Sequence, residues 1–110
     1  MTAPTIDEDR SEVRRLLLEG DRRLRSGDPD AKAANQLTAE VETIAERRDA
    51  ENLLLDLLSP LLTDDADSVR FGAASFLLSR GHADLAVPVL EKVSDLRAMM
   101  VLDIWRSRQV

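Results

Sequence analysis

The sequence contains few residues that could perform catalysis or hold a metal ion. Its single histidine, His82, follows Gly81 at the start of a predicted helix, and the chain has no cysteine. Disulfides, zinc–thiolate sites and thiol catalysis are therefore excluded. There is also no glycine-rich phosphate loop, no His-Glu-x-x-His and no Gly-x-Ser-x-Gly. We expect a protein that is not an enzyme and uses no metal or cofactor, with His82 as a solvated or capping residue.

Acidic residues dominate the middle of the chain. Residues 49–67 contain no Lys or Arg and six acids, namely Asp49, Glu51, Asp56, Asp64, Asp65 and Asp67. The turn at residues 64–67 lacks the glycine and the distal glutamate of an EF-hand calcium loop, so we expect its aspartates to cap a helix and to interact with its dipole. Most such runs are solvated surfaces. The alternative is a docking surface for a basic partner, with Asp56, Asp64, Asp65 and Asp67 as the candidate residues.

The last predicted helix, from about Asp95 to Ser107, has apolar residues on two sides. At 100° per residue, one side carries Ala98, Val101, Leu102 and Trp105, and the nearly opposite side carries Leu96, Met100 and Ile104. The first set predicts core packing, with Trp105 as an anchor. The second set has two explanations that the sequence leaves open. Either the chain covers this helix on both sides, for example with an N-terminal helix, or Leu96, Met100 and Ile104 form an exposed interface.

Arg70 lies inside the apolar arc of the fourth predicted helix, next to Val69 and between Ala74 and Leu77. A guanidinium in that position needs a carboxylate or several carbonyls, because an unpaired buried charge is strongly destabilising. We therefore expect Arg70 to have a structural role, and Arg70→Ala to cost much stability if the ion pair is buried.

Helices must position all of these residues, because apolar residues recur at helical period and no segment alternates as a strand would. Thr5 and Glu8 have capping-box spacing for a first helix that Gly27 ends, and Asp28 with Pro29 predicts the start of the second. The later helices are predicted from about Ala50 to Leu62, from after the Thr63–Ala66 loop to Gly81, from Asp84 to Val93 and from Asp95 to Ser107.

Short loops join these helices, and short loops make consecutive helices antiparallel neighbours. The sequence therefore predicts an all-α fold of about six helices in three stacked antiparallel α-hairpins. We expect residues 1–6 to be a flexible N-terminus and residues 7–110 to be a single helical domain.

Composition limits the function further. The 110 residues are 44% hydrophobic and 33% charged, and 15 Lys and Arg against 21 Asp and Glu give a net charge of −6. These values are typical of a folded chain, and the acidic excess disfavours binding to nucleic acid or to anionic membranes. The segment Met1–Asp9 has neither the basic nor the apolar region of a signal peptide, so we expect a cytoplasmic protein.

One stretch resembles a known repeat. Residues 57–74 have a proline in a first helix, an acidic turn, and Val69-Arg70 followed by Ala73-Ala74 in a second helix. In this they resemble a HEAT repeat, most closely over residues 52–81, and the resemblance implies that Arg70 pairs with an acid of a neighbouring hairpin turn. Residues 30–110 further resemble a small bacterial family of single-domain HEAT-like proteins, some of which are associated with immunity to toxins.

These features together predict a non-catalytic protein–protein interaction module. The family resemblance implies a bacterial immunity or antitoxin-type protein that binds a toxin, whose docking domain would be basic. The alternative is a structural or regulatory subunit that acts through homo-oligomerisation, such as a homodimer. We expect neither nucleic acid nor membrane as a partner.

Overall fold

The structure, a computed structural model, describes residues 2–27 and 31–109. Over these residues it contains six α-helices, one 3-10 helix and no strand, so the predicted all-α class is confirmed. The helices are α1 (Ile6–Arg25), α2 (Ala31–Ala50), α3 (Leu54–Leu58), the 3-10 helix (Ser59–Thr63), α4 (Asp67–Ser79), α5 (Ala83–Lys92) and α6 (Leu96–Ser107).

The chain divides into two compact units, Met1–Leu57 and Leu58–Val110. In the first unit α1 packs against α2, and in the second α4 packs against the 3-10 helix, α5 and α6, with α5 also packing against α6. Helices that follow one another along the chain therefore pack together within each unit. The arrangement in three stacked antiparallel α-hairpins stays a prediction.

The first helix begins and ends where the sequence predicts. The Thr5 hydroxyl accepts a hydrogen bond from the backbone N–H of Glu8, and the Glu8 carboxylate accepts one from the backbone N–H of Thr5, which completes the capping box. Gly27, with φ of +70°, follows the last residues of α1. The predicted helix start at Asp28 and Pro29 lies outside the described residues.

Two further helices are also followed by a residue with positive φ. After α4, Gly81 has φ of +91°, and the N–H of His82 donates to the carbonyl of Leu77 at 2.9 Å. After α2, Asn52 has φ of +61°, and the N–H of Leu53 donates to the carbonyl of Arg48 at 2.8 Å. Both are Schellman endings, which satisfy helix carbonyls that would otherwise be unpaired.

The Asn52 turn corrects the prediction that helix three begins at about Ala50. Ala50 is instead the last residue of α2, and α3 begins at Leu54. The apolar periodicity of this region runs through the turn without a break, so it does not reveal the helix end. Asparagine adopts the left-handed conformation more readily than other residues with a side chain. Asn52 was therefore the signal for this helix end that the sequence offered.

Pro60 shortens helix three from the other side. Because proline has no N–H, it leaves the carbonyl of Asp56 without its helical donor, and the chain continues as the 3-10 helix from Ser59. The predicted single helix to Leu62 was therefore wrong. Pro88, by contrast, lies inside α5, where the carbonyl that it leaves free belongs to Asp84 in the first turn.

Arg10 of α1 replaces the donor that Pro60 lacks. Its Nη2 donates to the freed carbonyl of Asp56, and its Nε donates to the carbonyl of Leu57 at 3.0 Å. Its Nη1 also pairs with Asp7 at 2.7 Å, so the guanidinium is held in place from its own helix. Arg10 thus joins α1 to the C-terminal end of α3.

A buried ion cluster joins α1 to the end of α2. Asp9 is only 4% exposed, and its Oδ2 lies 2.7 Å from Nη2 of Arg47 and 2.7 Å from Nε of Arg48. Burial raises the pKa of the Asp9 carboxyl, but the hydrogen bonds and charges of the two arginines outweigh it, and the pKa lies below its ordinary value. Arg48 also donates to the carbonyl of Pro4 at 2.9 Å, just before α1. The sequence analysis did not single out Asp9.

Apolar side chains make up the rest of each core. The α1–α2 pair buries Val13, Leu16, Val41 and Ala45, and α4 buries Val69, Gly72, Ala73, Ala74, Leu77 and Leu78. Burial on more than one side of α4 agrees with its wide apolar arc. Leu55 of α3, in contrast, is 40% exposed.

Candidate interaction surface on helix six

Helix α6 begins at a strong cap. Asp95 is the N-cap residue, and its Oδ1 accepts a hydrogen bond from the backbone N–H of Arg97 at 2.9 Å. The Arg97 guanidinium also binds the Asp95 carboxylate through two nitrogens, at 2.7 Å and 3.1 Å. The same guanidinium lies over the ring of Phe71 from α4, with 4.6 Å between its central carbon and the ring centroid. These contacts fix the start of α6 on α4.

The inner face of α6 is packed in part. Ala98 is fully buried and Leu102 is 4% exposed, while Val101 and Trp105 on the same side are half-buried. Near the end of the helix, Nη2 of Arg106 lies 3.2 Å from the Glu91 carboxylate of α5. Helix α6 is therefore held at both ends and along one side.

The outer face of α6 carries a large exposed apolar set. Leu96 is 78% exposed, Met99 62%, Met100 63% and Ile104 53%, and we refer to these four residues as the α6 stripe. Three of them are the set predicted from the sequence, and Met99 extends it. This exposure favours the second explanation, an exposed interface.

The α6 stripe differs from the other exposed apolar residues of the described chain. Leu24, Leu55 and Leu85 are 61%, 40% and 38% exposed and lie on three different helices. Single exposed leucines are common on protein surfaces, whereas several large apolar residues on adjoining turns of one helix typically mark a contact site.

One carboxylate lies within the α6 stripe. Asp103 is exposed. Around the helix axis, at 100° per residue and with Leu96 at 0°, it lies at about −20°, between Met99 and Ile104 on the outer face. Among the described residues it makes no hydrogen bond and no ion pair. It is therefore available for a cation from outside the chain.

The acidic candidates of the central segment belong to two different units. Asp56 belongs to the first unit, and Asp64, Asp65 and Asp67 belong to the second. Asp64 accepts a hydrogen bond from the backbone N–H of Ala66 at 2.9 Å, and Asp67 pairs with Arg70. Ala66 occupies the N-cap position of α4 and no side chain caps it, so the expected aspartate N-cap was wrong. Asp56 and Asp65 remain exposed.

Arg70 has a different environment from the expected one. Its side chain is 29% exposed, and its acid is Asp67, one turn earlier in the same helix and not in a neighbouring hairpin. Its Nε is buried without a hydrogen-bond partner among the described residues. The ion pair is local and partly solvated, so it contributes less to stability than a buried pair between helices would.

The remaining candidates for chemistry lie apart. His82 is half-buried at the N-cap position of α5, but its side chain makes no capping hydrogen bond. Over residues 2–27 and 31–109, no three His, Asp or Glu side chains are grouped as a metal site would require. Within the same residues, each helix is too short or too polar to cross a membrane.

Comparison with protein families, with curated proteins and with solved structures found no match to this chain. The resemblance to HEAT repeats therefore stays a prediction from the residues of the sequence.

Proposed function

We propose that this protein is a non-catalytic interaction module that binds another protein chain through the α6 stripe. The observation that carries the proposal is the exposure of four large apolar side chains on adjoining turns of one firmly anchored helix. Such a face suits a helical or grooved protein surface, which can enclose apolar side chains in register with the helix turns. Two methionines in the set favour an adaptable contact, because their side chains are long and unbranched.

The size of the stripe defines what kind of interface it can support. Complete burial of a Leu, Ile or Met side chain contributes about 1.5–3 kcal/mol. The exposed fractions of the four residues together equal between two and three side chains, so covering them gives roughly 4–8 kcal/mol. Association costs at least about 4 kcal/mol in lost freedom of motion. The stripe therefore serves as the centre of an interface that also needs polar contacts at its edge.

The arginines of α6 can supply that polar edge. Arg106 and Arg108 are exposed at the end of the helix. Charged groups at the edge of an apolar contact select the partner and its orientation more than they add affinity.

A photo-crosslinking experiment tests the proposal in cells. The full chain is produced with Met100→benzoylphenylalanine, and the matched control carries the same substitution at Glu42, an exposed position of α2. We expect a discrete cross-linked product from position 100 that is absent from position 42. No product at position 100, or the same products at both positions, would contradict an interface at α6.

The toxin-neutralising role is a separate proposal that rests on the family resemblance. In such a role, the exposed carboxylates of Asp56 and Asp65 would add electrostatic attraction for a basic partner. The simplest test is whether a toxin gene lies beside the gene for this protein. The absence of such a gene would contradict the toxin-neutralising role and would not affect the proposed α6 interface.

A further inference from the structure

We infer that the occupant of the α6 stripe is a second copy of this chain, with the two α6 helices antiparallel about a twofold axis near Met100. The inference rests on the proposed function, since it names the partner for the same surface. It follows from the spacing of the apolar residues and from the distribution of charge along α6.

The spacing makes the stripe complementary to itself. Leu96 and Ile104 lie four residues before and four residues after Met100, which is about 6 Å along the helix axis in each direction. A twofold axis at Met100 therefore places Leu96 level with the partner's Ile104, and Met100 next to the partner's Met100. In an isologous interface of this kind, each contact occurs twice.

The charges of α6 favour the antiparallel orientation. Asp95 lies at the start of the helix, and Arg106 and Arg108 lie at its end. Antiparallel pairing brings the acidic start of one helix near the basic end of the other, and it also aligns the helix dipoles favourably. Parallel pairing would place like charges together at both ends.

The extent of the stripe predicts a reversible dimer. An apolar patch on one helix face covers on the order of a few hundred Å². Two such patches bury less than the roughly 1,200–2,000 Å² of a stable protein complex, so we expect a dissociation constant of about 1 μM or weaker. Dimer formation should therefore depend on protein concentration.

Sedimentation equilibrium of the purified full chain tests the self-association. We expect the mass of the wild-type chain to rise with concentration from 12.2 kDa towards twice that value. Met100→Glu should stay monomeric with an unchanged melting curve. Gln36→Glu, which adds the same charge at an exposed position of α2, should dimerise like the wild type. A wild-type chain that is monomeric at every concentration, or a Met100→Glu variant that dimerises equally well, would overturn the inference.

Disulfide trapping tests the orientation and does not depend on the folding of Met100→Glu. Because the chain has no native cysteine, single-cysteine variants report one contact each. Under mild oxidation, a mixture of Leu96→Cys and Ile104→Cys should form the mixed dimer, because the two positions are level in the antiparallel pair. Each variant alone should form little, because its two copies lie about 12 Å apart along the axis, too far for a disulfide. Efficient self-linking of each variant, or no mixed product, would overturn the antiparallel dimer.

The experiments separate this inference from the proposed function. A monomeric protein whose position 100 cross-links to a chain of a different mass would refute the dimer and leave the interaction module standing. A monomeric protein with no cross-link at position 100 would refute both.

Discussion

The buried Asp9 carboxylate gives the sharpest test of what holds the first unit together. In Asp9→Asn the amide keeps the shape of the side chain but cannot neutralise Arg47 and Arg48. Arg47 is 47% exposed at its side chain and can be solvated, whereas Arg48 is 11% exposed and cannot. The cost therefore comes mainly from one arginine.

The magnitude follows from that difference in exposure. Removing one partner of a fully buried ion pair costs about 3–5 kcal/mol. Arg48 keeps the Pro4 carbonyl at 2.9 Å and the Glu51 carboxylate at 3.3 Å, so part of its charge remains compensated. We expect Asp9→Asn to lower the free energy of unfolding by about 2–3 kcal/mol.

Urea denaturation followed by far-ultraviolet circular dichroism measures this loss. The matched control is Asp103→Asn, which removes an exposed carboxylate and should change the free energy of unfolding by less than about 0.5 kcal/mol. If Asp9→Asn is as stable as Asp103→Asn at pH 7, the ion cluster does not stabilise the fold, and the reasoning is refuted.

We also expect the stability difference between the wild type and Asp9→Asn to depend on pH. The pKa of Asp9 in the folded chain is below its ordinary value of 3.8, so the folded state binds this proton less readily than the unfolded state does. The stabilisation is therefore complete above about pH 4 and is lost as the pH falls through the folded pKa. The difference in unfolding free energy between the wild type and Asp9→Asn should be constant at neutral pH and shrink in acid. A difference that grows in acid would contradict the assignment.

Four other substitutions test Arg10, Arg70 and two glycines. Arg10→Ala leaves two carbonyls of α3 without their donor and should cost about 1–3 kcal/mol in urea denaturation; a cost below 0.5 kcal/mol would contradict this role. Arg70→Ala removes a local, partly exposed ion pair, so it should lower the unfolding free energy by only about 1 kcal/mol or less, and a loss above 3 kcal/mol would indicate a buried partner. Gly20→Ala should raise the melting temperature, since the added Cβ meets no atom within 4 Å in the interior of α1. Gly81→Ala should lower it because φ there is +91°; equal shifts in both variants would reject the left-handed helix end.

Local sequence signals account for most of the helix boundaries. The capping box at Thr5 and Glu8, the left-handed Gly81 and the Asp95 start of the last helix are set by interactions within a few residues. Such interactions depend little on the rest of the fold, so the residues themselves predict them. The turn at Asn52 is equally local, and it was missed because the apolar period runs through it.

The ion pairs between residues far apart in the sequence, in contrast, depended on tertiary structure. The ion pair of Arg70 is different, because its acid is Asp67, three residues earlier in the same helix, and such a pair can be read from the sequence. Asp9 looks like an ordinary residue in the first turn of α1, and only the packing of α2 buries it between Arg47 and Arg48. Contacts of this kind join residues 38 and 39 positions apart, and no local pattern encodes them.

In the α6 stripe, the sequence determined which residues share a face, and the tertiary structure determined whether that face is buried. Helical periodicity alone placed Leu96, Met100 and Ile104 on one face, because the 3.6-residue repeat is a property of the backbone. Periodicity could not determine whether that face is covered, since burial depends on which other segments pack beside the helix. The tertiary structure decided this by packing Ala98 and Leu102 inward and leaving the stripe exposed to solvent.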